Sequence, residues 1–405
     1  MTKKLLMISQ NFYPELGSAA NRMKMMFKAF KLKGSDPTML TTEPTYPNQN
    51  LFDDDTYFTD HSLNELEKSK IIRMKMHGNK QNSNFVMRLV YYMEQYIRLK
   101  VFLKMHKEDY DIVYVSSPNI FLAWATLFFK QAKRPTYVLE IRDLWPDSVN
   151  GLKHINISLF MPLLKYLEKK MYNSADKIVI NNEAFRAHIQ NRLENKTPIF
   201  YLPNGISKSE LVIEEKCEDF SVIYTGNIGY AQDVDKLISI CKALNDKKIY
   251  VTAIVYGVQA AKFRQAVKDC AYIQIRKPMD RIDCLTEIAK HHVSLSILES
   301  SDVFMNVMPG KIIDSIGVGT PPISNISGPT EAIIQKYDLG FARKQASITT
   351  IVNEIETLKN DKQSLLNKEN NAKKYRDEHL IWEDNIEKLI TFLRKGDEDD
   401  KNIQN

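Results

Sequence analysis

Short apolar runs alternate with amphipathic stretches along most of this chain. The stretches between the apolar runs have helical spacing, as in Ser18 to Leu32. The predicted strands are Lys4–Ser9, Pro37–Leu40, Ile71–Met74, Ile112–Val115, Tyr137–Ile141, Lys177–Ile180, Ser221–Thr225, Tyr250–Tyr256, Tyr272–Ile275, Val293–Leu298 and Pro322–Ser324. Apolar strands that alternate with helices indicate parallel sheets covered by helices. The pattern therefore predicts an α/β protein built from two doubly wound, Rossmann-like parallel-sheet domains.

The length of the chain also indicates two domains. The sequence has 405 residues, whereas one core rarely grows past about 250–300 residues. We expect an N-terminal domain over residues 1–205 and a C-terminal domain over 206–375, joined near the turn-rich segment Pro203 to Glu210. Residues 376–395 predict a helix that packs back on the first domain, and the tail 396–405 predicts disorder. We expect the carboxyl ends of the two sheets to face each other across a cleft.

Charge and composition narrow the class of protein. The net charge of +6 conceals an asymmetry: up to Gly205 there are roughly 29 basic and 20 acidic residues, and beyond it 27 and 30. No nucleic-acid motif is present, so a membrane surface or a phosphorylated lipid is the better anionic candidate. The four cysteines form no CxxC pair, so neither zinc nor a disulfide framework is indicated. A short first apolar run and the lack of any long uncharged window favour a cytoplasmic protein.

Two helical segments of the first half mix apolar, aromatic and basic residues. The longer one runs from Phe85 to Lys107 and the shorter one from Ile157 to Tyr172. Such helices can lie in a membrane interface, although apolar stripes of this kind also pack on a sheet. With the basic first half, they favour peripheral contact with a membrane.

The segment from Phe304 to Pro321 has the features of a diphosphate-binding site. A helix is predicted to open at Pro309, because proline is favoured at the first helical position. Lys311 then falls in the first turn, beside free backbone amides that bind anions. Asp314 follows on the same helix face, where its carboxylate could accept hydrogen bonds from ribose hydroxyls. The alternative is an amphipathic surface helix whose Lys and Asp face water.

In each half of the chain, a turn of small residues follows the first strand. Gly17 and Ser18 lie in the first turn, and Gly226 to Gly229 form the second. Glycine permits the backbone to approach a ligand closely, but an ordinary strand–helix connection would look the same. Neither turn matches the Walker A or GxGxxG pattern.

The loop Glu140 to Ser148 places several charges at the end of a predicted strand. Arg142, Asp143 and Asp147 flank Trp145 and Pro146 there, and loops at the carboxyl ends of strands form the active sites of such sheets. A structural salt bridge between Arg142 and Asp143 is the alternative. The acidic run Asp53 to Asp55 follows a polar stretch rather than a strand, so we interpret it as a solvated loop and not a metal site.

Four segments together resemble a known family. FYPELGSAANR, EIRDLWPDS, YTGNIGYAQ and FMNVMPGKIIDSIGVGTP occur in the same order in bacterial family-4 glycosyltransferases of the GT-B fold. The resemblance covers essentially residues 1–390. Within that family the chain is most similar to capsule and O-antigen enzymes that transfer amino-sugars such as N-acetyl-L-fucosamine.

The resemblance implies a retaining transfer of an N-acetylated amino-sugar from a nucleotide-diphosphate donor, with UDP favoured and no metal or other cofactor. The acceptor would be a polyprenyl-diphosphate-linked saccharide at the inner face of the plasma membrane. The implied catalytic residues are Glu15, Gly17, Asp143 and Lys311. The implied donor-binding residues are Ser18, Arg22, Gly226, Asn227, Arg276, Asn306, Val307, Met308, Pro309, Gly310 and Asp314. The implied acceptor-side residues are Asn21, Arg142 and Trp145.

Three positions depart from the family pattern. Asp314 replaces the usual Glu, Asn306 replaces the first acid of an E-x7-E pattern, and Tyr230 replaces an Arg that often follows GNIG. Lys311, with Arg22 or Arg276, would then neutralise most of the diphosphate charge. Two other classes stay open: a nucleotide-sugar epimerase of the same architecture, and a non-catalytic nucleotide-sugar-binding membrane partner. The sequence leaves the donor sugar, the linkage and the oligomeric state undetermined.

Overall fold

The computed structural model divides the chain into two compact units. Unit 1 comprises Met1–Pro203 and Trp382–Asn405, and unit 2 comprises Asn204–Ile381. The structure describes residues 3–15, 17–45, 70–78, 80, 85–106, 109–130, 135–147, 158–300 and 308–394. The acidic run Asp53 to Asp55 and the tail 396–405 lie outside these ranges.

Unit 1 is built on a seven-stranded parallel sheet. Its strands are β1 (Lys4–Ile8), β2 (Asp36–Thr42), β3 (Ile71–Met74), β4 (Ile112–Ser117), β5 (Thr136–Ile141), β6 (Lys177–Ile180) and β7 (Ile199–Tyr201). Their order in the sheet is β3-β2-β1-β4-β5-β6-β7. The strand β7 was not predicted: its residues Ile199–Tyr201 are apolar or aromatic, but an edge strand of three partly buried residues is too short to mark a strand.

Helices cover both faces of this sheet. They are α1 (Ser18–Leu32), α2 (Phe85–His106), α3 (Ile120–Leu127), α4 (Met161–Ser174) and α5 (Phe185–Gln190). The helix α1 packs on the face that carries Leu5 and Met7. The helices α2 to α5 contribute to the core on the opposite face, which carries Leu6 and Ile8. Strands buried on both sides explain why the sequence shows continuous apolar runs rather than alternation.

Unit 2 is built on a six-stranded parallel sheet. Its strands are β8 (Ser221–Asn227), β9 (Tyr250–Tyr256), β10 (Ile273–Arg276), β11 (Val293–Ser296), β12 (Pro322–Ser324) and β13 (Phe341–Ala342). Its helices are α6 (Val234–Asp246), α7 (Ala260–Val267), α8 (Arg281–Lys290), α9 (Gly310–Gly317), α10 (Gly328–Lys336), α11 (Ile348–Asn360) and α12 (Lys362–Tyr375). The strand order is β10-β9-β8-β11-β12-β13. The two-residue strand β13 was not predicted, because it is too short to leave a pattern.

The last helix returns the chain to unit 1. Residues Arg376–Leu380 form a π-helical turn, and Ile381 bridges to Ile206 within unit 2. The helix α13 (Trp382–Arg394) then packs against α1. It begins at Trp382 rather than at the residue 376 expected from the sequence, because the π-helical turn and the bridge keep residues 376–381 in unit 2.

Both sheets have the same topological switch point. In unit 1 the chain order reverses between β1 and β4, and in unit 2 between β8 and β11. At such a point the connections leave the sheet on opposite sides, which opens a crevice at the carboxyl ends of the strands. The strand order therefore directs attention to the loops after β1, β4 and β5, and to those after β8 and β11.

A buried ion pair joins the elements of unit 1. Arg22 is 1% exposed and donates from Nε to Oε1 of Glu140 over 2.9 Å, while Glu140 itself is 0% exposed. The guanidinium also donates to the carbonyls of Leu202 and Pro203, and lies 5.2 Å from the ring of Trp382. Burial acts to raise the pKa of Glu140, but the guanidinium groups of Arg22 and Arg142, together with two hydroxyl hydrogen bonds, outweigh burial and the pKa is lowered.

We predict that Arg22→Met lowers the free energy of unfolding by about 3–5 kcal/mol, because it leaves a buried carboxylate without its cation. The pKa of Glu140 is lower in the folded state, so this contribution is present at neutral pH and is lost as the pH falls through the folded pKa. Urea unfolding at pH 7 and at progressively lower pH would measure both effects.

The matched control is Lys262→Met, which breaks an exposed pair with Asp235. That change should cost less than about 1 kcal/mol. Equal losses for the two variants would contradict a structural role for the Arg22–Glu140 pair.

Candidate functional site

The loop after β8 forms one wall of the candidate site in unit 2. Gly226 has a φ of 101°, and a Cβ placed there would lie 2.8 Å from Nζ of Lys311. Only glycine adopts this conformation without strain, so the backbone passes close to the ammonium group. Asn227 follows, and its side chain occupies the space that a side chain at Gly257 would need.

The first turn of helix α9 lies next to this loop. Pro309 is its N-cap, with an extended ψ of 145°, and Gly310 is its first residue. The prediction that the helix opens at Pro309 is therefore wrong by one residue, because Pro309 has not yet taken helical angles. Lys311 still falls in the first turn, where backbone amides lack intrahelical partners.

Lys311 connects the two sides of the switch point. Its Nζ donates to the carbonyl oxygens of Thr225, over 2.7 Å, and Asn227, over 3.4 Å. The ammonium also lies 4.9 Å from the ring centroid of Tyr224. Burial lowers the pKa of Lys311 to about 8. A cation with this pKa can change its charge near neutral pH, and a bound anion would favour its protonated form.

Asp314 lies three residues further along α9 and is held by an arginine. Arg281, the first residue of α8, donates from Nη2 to Oδ1 of Asp314 over 3.0 Å and from Nε to Oε1 of Glu210 over 2.5 Å. Burial acts to lower the pKa of Arg281, but Asp314 and Glu210 outweigh it and the pKa is raised. One oxygen of Asp314 is thus used by Arg281, which fixes the orientation of the carboxylate.

Arg281 and Glu210 were not predicted from the sequence. A signal was present, because an arginine at the first position of a helix opposes the helix dipole. Asp280 caps this helix, so the start of α8 was recognisable. An unfavourably placed cation there indicates an anionic partner elsewhere in the fold.

The remaining donor-side predictions have different outcomes. Arg276 forms an ion pair with Glu287 and is partly exposed at the end of the edge strand β10. Met308 packs against the core next to α9. Asn306 and Val307 lie outside the described residues.

In unit 1 the turn after β1 has the geometry of a glycine-dependent helix start. Gly17 is the N-cap of α1 with a φ of 134°, and its carbonyl accepts a hydrogen bond from the amide of Asn21 over 3.0 Å. Ser18 is the first residue of the helix. The structure contradicts the donor-binding role predicted for Arg22, because its guanidinium is buried against Glu140 and two carbonyls.

Glu15 belongs to a buried charged cluster. Its Oε1 accepts from the amide of Thr45 over 2.8 Å, and its carboxylate forms an ion pair with the buried Lys80. Arg73, at the end of β3, donates to the carbonyl of Tyr13 over 2.6 Å. Burial lowers the pKa of Lys80, although Glu15 favours its charged form. Lys80 and Arg73 were not predicted, because distant segments of the chain bring them to Glu15.

The loop after β5 carries the carboxylate of Asp143, which is in contact with water, unlike that of Glu15. Asp143 is exposed, whereas Arg142 is half-buried. Partial removal from water raises the pKa of Asp143, and Arg142 opposes this shift. Trp145 stacks edge-on against Trp124, with ring centroids 5.4 Å apart. Asp143 thus lies in the sequence between the half-buried Arg142 and the Trp145 that packs on Trp124.

No group of three or more metal-ligating side chains is arranged to hold a metal ion among the residues that the structure describes. The positive charge of the candidate site in unit 2 comes from Lys311 and the amides at the start of α9, because Asp314 and Glu210 neutralise Arg281.

Comparison with protein families gives one match. The model of Glycosyltransferase Family 4 matches residues 66–210. A search among curated proteins found no match. The family match covers β3 to β7 of unit 1, including Arg142, Asp143 and Trp145.

Comparison with solved structures gives matches over nearly the whole chain. Sucrose-phosphate synthase from Thermosynechococcus elongatus superposes with a TM-score of 0.73 at 12% identity, covering 97% of this chain and 98% of the other. Anabaena HepE in complex with UDP and glucose gives 0.65 at 12% identity, with coverages of 96% and 99%. A putative UDP-N-acetylglucosamine 2-epimerase from Listeria monocytogenes gives 0.64 at 11% identity, with coverages of 98% and 98%.

These matches define the class of fold. At such identities they establish that the chain has the GT-B type of architecture, with two parallel-sheet α/β units, as the alternating pattern predicted. The α/β class and the two parallel sheets are therefore confirmed.

The lowered pKa of Lys311 yields a prediction on nucleotide binding. We expect the affinity for a nucleoside diphosphate to fall by up to about tenfold between pH 7 and pH 9, since the cationic form is lost as the pH rises through about 8. Calorimetric titration with UDP in EDTA would measure this dependence. In Lys311→Met the affinity should be lower and flat with pH; an unchanged slope in that variant would assign the titration to another group.

Proposed function

We propose that this chain is a glycosyltransferase that moves a sugar from a nucleotide-diphosphate donor to an acceptor. The observation that carries the proposal is the position of Lys311, whose ammonium lies at the switch point beside the first turn of α9 and the carbonyls of Thr225 and Asn227. A cation and free amides at one point suit a diphosphate.

The comparisons support this class of reaction. The glycosyltransferase family model matches part of unit 1, and HepE, which shares the fold, binds UDP and glucose. We therefore favour UDP as the nucleotide of the donor. The ribose would lie near Asp314, whose orientation Arg281 fixes.

The chemical difficulty of the reaction is the departure of the nucleoside diphosphate. Negative charge develops on the leaving oxygen as the bond to the sugar breaks, and preorganised donors stabilise such charge. Lys311 and the amides at Gly310 and Lys311 would supply this stabilisation, so we propose that the transfer needs no metal ion. Protonation of Lys311 would increase when the diphosphate binds, because the anion offsets the effect of burial.

The acceptor hydroxyl needs a route for its proton. Asp143 is the better candidate, because it is exposed and its pKa is raised, whereas Glu15 is held in a buried ion pair with Lys80. In a retaining mechanism the hydroxyl would attack from the leaving-group side. Its proton would pass either to the departing phosphate oxygen, with Asp143 orienting the hydroxyl, or to Asp143 itself.

The finer assignments rest on the family resemblance. We propose an N-acetylated amino-sugar as the donor sugar and a polyprenyl-diphosphate-linked saccharide as the acceptor, as in capsule or O-antigen synthesis. We also propose that the protein works at the inner face of the plasma membrane.

An epimerase acting on a nucleotide-sugar is the second candidate, since a putative UDP-N-acetylglucosamine 2-epimerase shares the fold. The two functions differ in what happens without an acceptor. An epimerase converts the nucleotide-sugar to its epimer without an acceptor. A transferase needs an acceptor for efficient release of the nucleoside diphosphate.

We predict that Lys311→Ala lowers transferase turnover by about 10²–10³, the range for losing one preorganised donor. The assay would combine UDP-N-acetylglucosamine, UDP-N-acetylfucosamine or GDP-mannose with bacterial membranes in EDTA. It would measure the free nucleoside diphosphate and the labelled product in the lipid extract. Asp143→Asn should lower turnover while leaving UDP affinity unchanged, because we propose that this residue acts on the acceptor and not on the nucleotide.

The control is Lys277→Ala, an exposed lysine in the loop after β10. It should retain wild-type turnover. Turnover of Lys311→Ala within threefold of wild type would remove this residue from the mechanism. Donor conversion without any acceptor would favour the epimerase, and UDP binding without turnover would favour a non-catalytic partner.

A further inference from the structure

The helix α2 has an apolar face that is not used for packing in unit 1. Large apolar side chains between 41% and 68% exposed lie along it: Val86, Met87, Leu89, Val90, Met93, Ile97, Val101 and Met105. Four of them, at positions 90, 93, 97 and 101, recur at intervals of three and four residues and so share one side of the helix. On the opposite side Tyr91 and Leu99 are buried, and Leu99 belongs to the core on this face of the sheet.

An ordinary surface helix would carry polar residues on the side away from the sheet. Helix α2 is apolar on both sides, and its exposed side spans most of a helix of 22 residues. At 1.5 Å per residue this is a strip of about 30 Å. Exposed apolar surface of such extent marks an interaction site.

A second exposed apolar patch lies at the start of α4. Leu159, Phe160, Leu163 and Tyr166 are between 55% and 84% exposed. Both α2 and α4 pack against α3, so they lie on the same face of the sheet of unit 1.

The residues that follow α3 connect the two patches. Phe129 is 49% exposed and lies edge-on to Tyr96 of α2. Nζ of Lys100 from α2 is 3.6 Å from the ring centroid of Phe129, and Nζ of Lys170 from α4 is 4.7 Å from that of Phe128. Aromatic rings capped by ammonium groups therefore link α2 to α4.

The exposed charges on these helices are mostly basic. On α2 they are Lys100 and Lys104; Arg88 and Arg98 are partly buried, and the single acid Glu94 is bound to Arg98. On α4 they are Lys165, Lys169 and Lys170, and the single acid of that helix, Glu168, is buried with His188 and Arg192. Asp147 and Glu194 lie near Lys165 and Lys169 respectively.

From this arrangement we propose that the exposed face of α2 and α4 docks on the surface of an anionic lipid bilayer. Apolar side chains would enter the headgroup boundary, and the lysines would meet anionic headgroups. None of the helices in the described ranges is long and apolar enough to cross a membrane, so the contact would be interfacial. A second copy of the chain fits less well, because pairing this face with itself would juxtapose its lysines.

The proposal does not depend on the proposed reaction, because vesicle binding is measured without donor or acceptor. The full chain would be floated with vesicles of phosphatidylcholine alone and of phosphatidylcholine with 30% phosphatidylglycerol as a chosen composition. We expect the wild type to bind the anionic vesicles. The double variant Ile97→Gln with Val101→Gln should partition at least about tenfold more weakly, because it removes two apolar side chains that would enter the bilayer.

The matched control is Ile213→Gln with Val258→Gln, which removes two exposed apolar side chains from unit 2. It should partition as the wild type does. All four positions are exposed, so neither variant disturbs a core; circular dichroism and UDP titration would verify this. Equal partitioning of the two double variants would overturn the proposal.

The charge contribution is tested by Lys104→Gln with Lys165→Gln. Each lysine near an anionic surface contributes about 1 kcal/mol, or about fivefold in partitioning, so the loss should appear with anionic vesicles and vanish at high salt. Lys236→Gln with Lys262→Gln in unit 2 is the control. Light scattering that shows a dimer abolished by Ile97→Gln, with no vesicle binding, would assign the face to a second copy instead and overturn the proposal.

Discussion

The parallel pairing of strands is the constraint on which the rest of this structure depends. Parallel neighbours need a crossover connection, and a helix supplies it while covering the sheet. All strands of a sheet then end at the same edge, and the strand order in both units reverses once, between β1 and β4 and between β8 and β11. The residues that carry the proposed chemistry follow strands next to these points: Asp143 follows β5, and Lys311 follows β11.

Burial gives the charged groups of the two units different properties. Arg22 and Glu140 are wholly buried and satisfy each other, so they stabilise unit 1 and are closed to ligands. Lys311 is only half-buried and is held by carbonyl oxygens rather than by a carboxylate. Burial lowers its pKa although Cys284 and Asp314 oppose the shift, and this makes a bound anion favourable. The hydrogen-bond partner, a carboxylate for Arg22 and carbonyl oxygens for Lys311, thus distinguishes a structural cation from a candidate binding cation.

Much of the fold was predictable because local patterns agree with it. Buried strands such as β4 and β9 appear as apolar runs, and the helix α9 begins within one residue of its predicted start. The short edge strands β7 and β13 were missed, because few residues and partial burial leave no periodic signal. In the candidate site, Lys311 and Asp314 were recognised from their helical spacing. Arg281 and Lys80 were not, because their carboxylate partners are far away in the sequence.

The sequence by itself determined the alternation of strands and helices, the glycine turns after β1 and β8, and the mixture of apolar and basic residues in α2. These features depend on neighbours along the chain, which propensity and periodicity describe. Only the tertiary structure decided which charges are open to a ligand. Arg22, predicted to bind a donor, is instead enclosed by Glu140, Leu202 and Pro203, and the exposed side of α2 is apolar. Burial depends on contacts between residues distant in the sequence, and a local pattern carries no information on those contacts.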